Sequence, residues 1–204
     1  MPHSSCNDTP SPAEQQRWLA WVRQSIAAQW GQTAQPPSLQ WGDRITDAFV
    51  SLHKGGALRG CMGVTGNQTQ PLTALLSHLA QQTAFADPRF APLAQAELDD
   101  CQIEIHILGP KHAIAANSRA QLLHYLQAGQ GLQLRQGGRS ALFLPVVWHQ
   151  LPDKNDFVDA LLRKGGWRAD HWPDAMDART FSAFEVHGDA VPSAEATDLR
   201  QQKK

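Results

Sequence analysis

The stretch Phe49-Val50-Ser51-Leu52-His53-Lys54, Gly55-Gly56, Ala57-Leu58-Arg59-Gly60-Cys61-Met62-Gly63-Val64 decides how this chain is read. Two runs rich in strand-forming residues flank a pair of glycines, and Gly-Gly is a two-residue hairpin signal because both central positions of the tight turn need positive φ. A two-residue turn at Gly55-Gly56 pairs Leu52 with Arg59 and Val50 with Cys61, which sets Arg59 and Cys61 on one face of the second strand. Downstream, Pro71 opens a helix with Leu72, Leu75, Leu76 and Leu79 along one side. That helix must end before Pro88, since the residue ahead of a proline is driven out of helical dihedrals. Cys101 to Leu108 then alternates, with Cys101, Ile103, Ile105 and Ile107 on one face and Gln102, Glu104 and His106 on the other, as in a half-buried strand.

The second half repeats this order. Leu132 to Arg135 and Arg139 to Leu144 flank another glycine pair, Gly137-Gly138, and the offset from Gly55 to Gly137 equals that from Pro71 to Asp153, where Asp153 can cap a helix carrying Phe157, Val158, Leu161 and Leu162. Gly165-Gly166 stops that helix, and Thr180 to His187 reads as the closing strand. A β-β-α-β unit is thus expected twice, about 40–110 and 125–187, with coincidence between common glycine hairpins as the competing account. Ahead of both, Ser11-Pro12-Ala13-Glu14 reads as a capping box starting a helix from about Pro12 to Trp30, with Trp18, Leu19, Val22 and Ile26 at helical spacing. The expected organisation is a flexible segment 1–11, one domain over 12–187 and a mobile tail over 188–204.

Composition excludes several classes. A hydrophobic share of 42% and a charged share of 18% describe a soluble globular chain, and a net charge of −1 gives no global field for a phosphate backbone. The longest apolar run, Ala141 to Trp148, falls far short of the ~20 residues that cross a bilayer and contains Pro145. Met1 to Pro10 has neither a basic nor an apolar signal region, so the expected location is the cytoplasm. Three cysteines, Cys6, Cys61 and Cys101, suit reduced thiols better than a disulfide framework.

The segment Leu58-Arg59-Gly60-Cys61-Met62-Gly63 resembles the signature of the AMMECR domain family, whose bacterial members are called AmmeMemoRadiSam system protein A; the family more often has Ile at Met62. The likeness continues through Pro71-Leu72, Ala84 to Leu93 with Glu97-Leu98, Ile103-Glu104-Ile105, Phe143-Leu144-Pro145-Val147, and Phe157 to Gly166. It implies an α+β fold of two β-α-β-β-type repeats with mainly antiparallel sheets that exchange strands, plus an extra N-terminal helix. It implies no established reaction and no cofactor. By association it implies Memo-like and radical-SAM partners. His106 stands where the family more often has a small hydroxyl residue, so a role for it is not inherited.

Read from the residues alone, Cys61 is the leading candidate for a nucleophile or a metal ligand. A guanidinium at Arg59 on the same face favours thiolate over thiol, and Gly60 and Gly63 remove side chains beside the sulfur so that a substrate can approach. The competing reading is a small buried hydrophobe beside a bulge. Asp87-Pro88-Arg89 is either a rigid corner, with Arg89 forked onto Glu97 or Glu104, or an anion clamp formed with Arg59. Glu104 and His106 share a strand face, as an acid–base pair, as part of a mononuclear metal site with Cys61, or as its solvated side. The remaining histidines, His53 and His187 among them, show no metal spacing, so no metal is expected; Trp148, Trp167 and Trp172 with Phe157 and Phe181 read as core. Two functions compete. One is an enzyme or enzyme component acting on a small anionic substrate through Cys61, Arg59 and Glu104, with Gly60, Gly63, Asp87, Arg89 and His106 binding it. The other is a non-catalytic adaptor for a Memo-like or radical-SAM partner. Nucleic-acid binding lacks a basic-aromatic strand motif.

Overall fold

The computed structural model describes residues 9–39, 47–66 and 69–190. It is an α+β protein whose described residues fall into two compact units, one within Met1–Ile107 and Phe184–Lys204, the other Leu108–Ala183. The expected flexible start and mobile tail lie largely outside the described residues.

In the first unit, helix α1 (Pro12–Ala27) starts at Ser11, whose hydroxyl accepts the Glu14 N–H at 3.2 Å, and runs on as a 3-10 turn to Trp30. Strands β1 (Ala48–Lys54) and β2 (Ala57–Val64) meet at Gly55 and Gly56, with φ of 59° and 81°, as the two-residue turn demands. Helix α2 (Leu72–Phe85) and strand β3 (Cys101–Leu108) follow. Strand β8 (Ala183–Gly188) completes a sheet of order β2-β1-β3-β8, in which β1 runs antiparallel to both β2 and β3. One face of this sheet is the core: Val50, Leu52, Ile103, Ile105 and Val186 pack with Trp18, Val22 and Ile26 of α1 and Leu75, Leu76 and Leu79 of α2. The other face carries the site.

The register departs from the simple hairpin. Lys54 pairs with Ala57 and His53 with Leu58, but a bulge follows, so that Leu52 pairs with Gly60, Ser51 with Cys61 and Val50 with Met62. Arg59 is the extra residue, and the expected pairs Leu52–Arg59 and Val50–Cys61 do not form. A bulge inserts one residue and resets side-chain parity, which separates Arg59 from Cys61.

In the second unit, β4 (His112–Ile114), helix α3 (Arg119–Tyr125), the hairpin β5 (Gly131–Gln136) and β6 (Arg139–Phe143), helix α4 (Lys154–Lys164) and β7 (Asp177–Phe181) build a sheet of order β4-β7-β5-β6. Gly137 and Gly138 have φ of 56° and 81°, and Asp153 caps α4 by accepting the Asn155 and Asp156 N–H groups at 2.7 and 3.2 Å. Trp148 stacks on Phe157 at 4.0 Å within a core that includes Leu132, Leu134, Leu161 and Trp167. The strand expected over Thr180–His187 is two strands: β7 ends at Phe181 in this sheet, and β8 begins after Ser182 in the first unit's sheet. The expected second repeat, 125–187, is therefore divided between the two units.

Candidate functional site

The outward face of the first sheet is built by strand parity. Because Val50 and Leu52 point into the core, Ser51 and His53 point away, and the register carries this across the strands: Ser51 pairs with Cys61 on one side and Glu104 on the other, and Phe49 pairs with Gly63 and His106. On β8, Phe184 packs edge-to-face on Trp18 at 6.0 Å and Val186 enters the core, so Glu185 and His187 face outward. Cys61, Ser51, His53, Glu104, His106, Glu185 and His187 thus share one face.

Cys61 is half-buried on the edge strand β2, and its backbone is clamped. Oδ2 of Asp87 accepts the Cys61 N–H at 2.9 Å, and Nη2 of Arg89 donates to the Cys61 carbonyl at 3.1 Å. Arg89 also grips Asp87 itself, Nε to Oδ1 at 3.0 Å and Nη2 to Oδ2 at 2.7 Å. Asp87 is only 4% exposed, and the Arg89 guanidinium holds its carboxyl well below the usual carboxylate range. The expected fork of Arg89 onto Glu97 or Glu104 is replaced by this pair with Asp87, because a two-residue spacing across Pro88 brings the guanidinium back onto the Asp carboxylate. The Arg89 side chain remains 55% exposed, with its guanidinium 5.4 Å from the centre of the Phe90 ring.

Arg59 is committed elsewhere. It donates from Nε and Nη2 to Glu97 at 3.3 and 3.0 Å and from Nη1 to the Ala91 carbonyl at 3.0 Å, while Lys54 also reaches Glu97 at 3.3 Å. Arg59 above all pulls the Glu97 carboxyl down to about 2. The two glycines also serve packing: a side chain at Gly60 would strike the Thr83 carbonyl of α2, and one at Gly63 would enter the Phe49 ring. Cys101 is fully buried, and burial pushes its thiol up.

Beyond Ser51 the face holds a closed set of acids and imidazoles. Glu104 lies 3.3 Å from Nε2 of His53, 3.7 Å from Nε2 of His106 and 3.5 Å from Nδ1 of His187. Glu185 lies 3.5 Å from Nδ1 of His106 and 3.6 Å from Nε2 of His187. His106 foremost draws the Glu104 carboxyl down to about 2, against the opposing effect of burial. His106 itself is 2% exposed, which overturns the expectation of a solvated strand side at that position. Among the described residues no three His, Cys, Asp or Glu are arranged to hold a metal ion, and no helix is long and apolar enough to cross a membrane.

Of the residues expected from sequence, Cys61, Glu104 and His106 come to one face, Asp87 and Arg89 fix the Cys61 backbone, and Arg59 turns to Glu97. Ser51, His53, Glu185 and His187 were missed. The alternation of Phe49, Ser51 and His53 against Val50 and Leu52 was the available signal for β1, and that of Glu185 and His187 against Phe184 and Val186 for β8.

The comparisons agree with the motifs that wrap this face. A family model, AMMECR1, matches residues 19–186. The chain belongs to the AMMECR1 family. It is similar to protein NEQ441 of Nanoarchaeum equitans, 34% identical over 123 residues that cover 57% of this chain and 66% of that protein. It is also similar to MJ0810 of Methanocaldococcus jannaschii, 30% identical over 157 residues covering 70% of this chain and 76% of that one. A relative from Sulfolobus acidocaldarius matches at 35% identity over 132 residues, 61% of this chain but only 58% of its own length, so the chain spans less than two thirds of several of its relatives. Among solved structures, the crystal structure of uncharacterized protein PH0010 from Pyrococcus horikoshii matches with a TM-score of 0.76 and 25% identity, over 89% of this chain and 96% of that one.

Proposed function

We propose that this AMMECR1-family protein is an enzyme, or the catalytic component of one, that uses Cys61 as a nucleophile on a small anionic substrate held against the outward face of its first sheet. The observation that carries the reading is the clamp. A nearly buried carboxylate and its guanidinium converge on the two backbone groups of a single half-buried cysteine. Burying a carboxylate is costly unless it is paired and hydrogen-bonded, and the Asp87 carboxylate meets that condition through the half-exposed Arg89 and the Cys61 N–H, which fixes the backbone of the nucleophile. Glu104, one residue beyond Ser51 in the same cross-strand row, stands about 10 Å from Cys61 at the backbone, two strand spacings, with Ser51 between them. With its carboxyl near 2, Glu104 is ionised at neutral pH and serves electrostatics and orientation in place of proton donation. Arg89, half exposed and bonded to the Cys61 carbonyl, supplies the cation for an anionic group, the role that Arg59 gives up by binding Glu97.

The test is alkylation of the native protein by iodoacetamide at neutral pH with peptide mapping, Cys101 serving as the internal buried control. Cys61 is expected to react while Cys101 stays protected until the protein is unfolded. A Cys61 that reacts only on unfolding ends the nucleophile reading and leaves the adaptor one, in which the same face docks a Memo-like or radical-SAM protein.

A further inference from the structure

A thiol nucleophile needs a proton acceptor. We propose that His53 is the base that takes the proton from Cys61, and that Glu104 positions its ring; this rests on the reading of Cys61 as the nucleophile. Three imidazoles face outward from the sheet, and their strands sort them. His187 is on β8, three strands from β2, and His106 is on β3, with its two nitrogens turned to Glu104 and Glu185. His53 is on β1, the strand that pairs with β2, two residues from the Ser51 that lies opposite Cys61. Diagonal neighbours across an antiparallel pair are about 7–8 Å apart at the backbone, within the span of an imidazole and a thiol.

The tautomer follows from the second contact. Oε2 of Glu104 stands 3.3 Å from Nε2 of His53, a placement that favours a proton on Nε2 and leaves Nδ1 as the nitrogen able to take one. The proton passes from Sγ of Cys61 to Nδ1 of His53, and the products are a thiolate and an imidazolium that Glu104 stabilises. No other atom is gained or lost. Nδ1 of His106, buried on the same face, makes no hydrogen bond and faces the Glu185 carboxylate at 3.5 Å, so this nitrogen is turned away from the exchange. The groups facing this exchange are Cys61 from β2, Arg89 bonded to the Cys61 carbonyl, Glu104 and His106 from β3, and Glu185 and His187 from β8.

The experiment measures iodoacetamide alkylation of Cys61 at pH 8.5 and 6.5 in the full chain. An ordinary thiol slows about 50-fold across that interval, because its thiolate fraction falls from one half to one hundredth around a pKa near 8.5. A thiolate–imidazolium pair slows less than about 5-fold. The wild type is expected to behave as the pair, and His53→Gln to restore a drop of about 50-fold, with Glu104→Gln between them. The ratio is blind to how open the sulfur is, so a merely structural change does not move it. A reactive Cys61 whose ratio is the same in wild type and His53→Gln overturns the role of His53 alone; a Cys61 unreactive in the native protein overturns the nucleophile reading itself. Should His53→Gln fail to fold, NMR titration of the His53 ring in the wild-type protein decides: its midpoint is expected to change when Cys61 is alkylated, and an unchanged midpoint overturns the proposal.

Discussion

Around Cys61, each neighbouring charge has one measurable consequence. Arg89 raises the local concentration of anions, so iodoacetate should gain on neutral iodoacetamide at Cys61, and Arg89→Ala should lower the ratio of the two rates several-fold. Asp87→Asn weakens both halves of the clamp and leaves a buried group imperfectly paired; urea denaturation should show a loss of about 1–3 kcal/mol. Half of this arrangement was legible in the sequence. Asp87-Pro88-Arg89 announces a bend with an ion pair, and Glu104 and His106 announce a polar strand side. Which carboxylate Arg89 takes was not legible, because Asp87, Glu97 and Glu104 are chemically equivalent partners until the fold fixes their distances. The direction of Arg59 was hidden for another reason: one extra residue in β2 reverses it, and Gly60 permits a bulge without fixing which residue is the extra one.

The hairpins and helices were the most readable elements, since each carries its own local chemistry. Positive φ at Gly55 and Gly137 explains why glycine stands there, and alanine at either position should cost about 1–2 kcal/mol by urea denaturation. Gly60→Ala should cost more than either, because its β-carbon meets backbone in α2 where no side chain can swing away. Both sheets place the strand after the helix beside the first strand of the hairpin, β3 next to β1 and β7 next to β5. We propose that the two hairpin–helix–strand segments are copies of one unit; superposing β1, β2 and β3 on β5, β6 and β7 should then lay α2 on α4, and helices on opposite faces of their sheets would refute it. The division at Ser182 escaped the sequence reading because Thr180 to His187 is uniformly strand-like in composition. Periodicity reports that a segment is extended and cannot report which partner it extends along.

Across the whole molecule, the carboxylates set the acid limit. Glu97 and Glu104 titrate at about 2 in the folded chain against an ordinary value of 4.5, and Asp87 lies below its own ordinary range. The unfolded chain therefore binds protons first as pH falls, so the stability these groups contribute is complete above about pH 5 and drains away towards about pH 2. Urea midpoints measured from pH 7 to pH 3 should fall in that window, and Glu97→Gln should flatten the slope. The order of the sheets has a further consequence during synthesis. The first unit begins near the N-terminus yet takes β8 from residues 183–188, after the whole second unit has been made. A nascent chain stalled on the ribosome between Leu108 and Ala183 carries β3 with one bare edge, an open template for another polypeptide, and the outward face still lacks Glu185 and His187. The earliest-made half of the protein is thus the last to be finished.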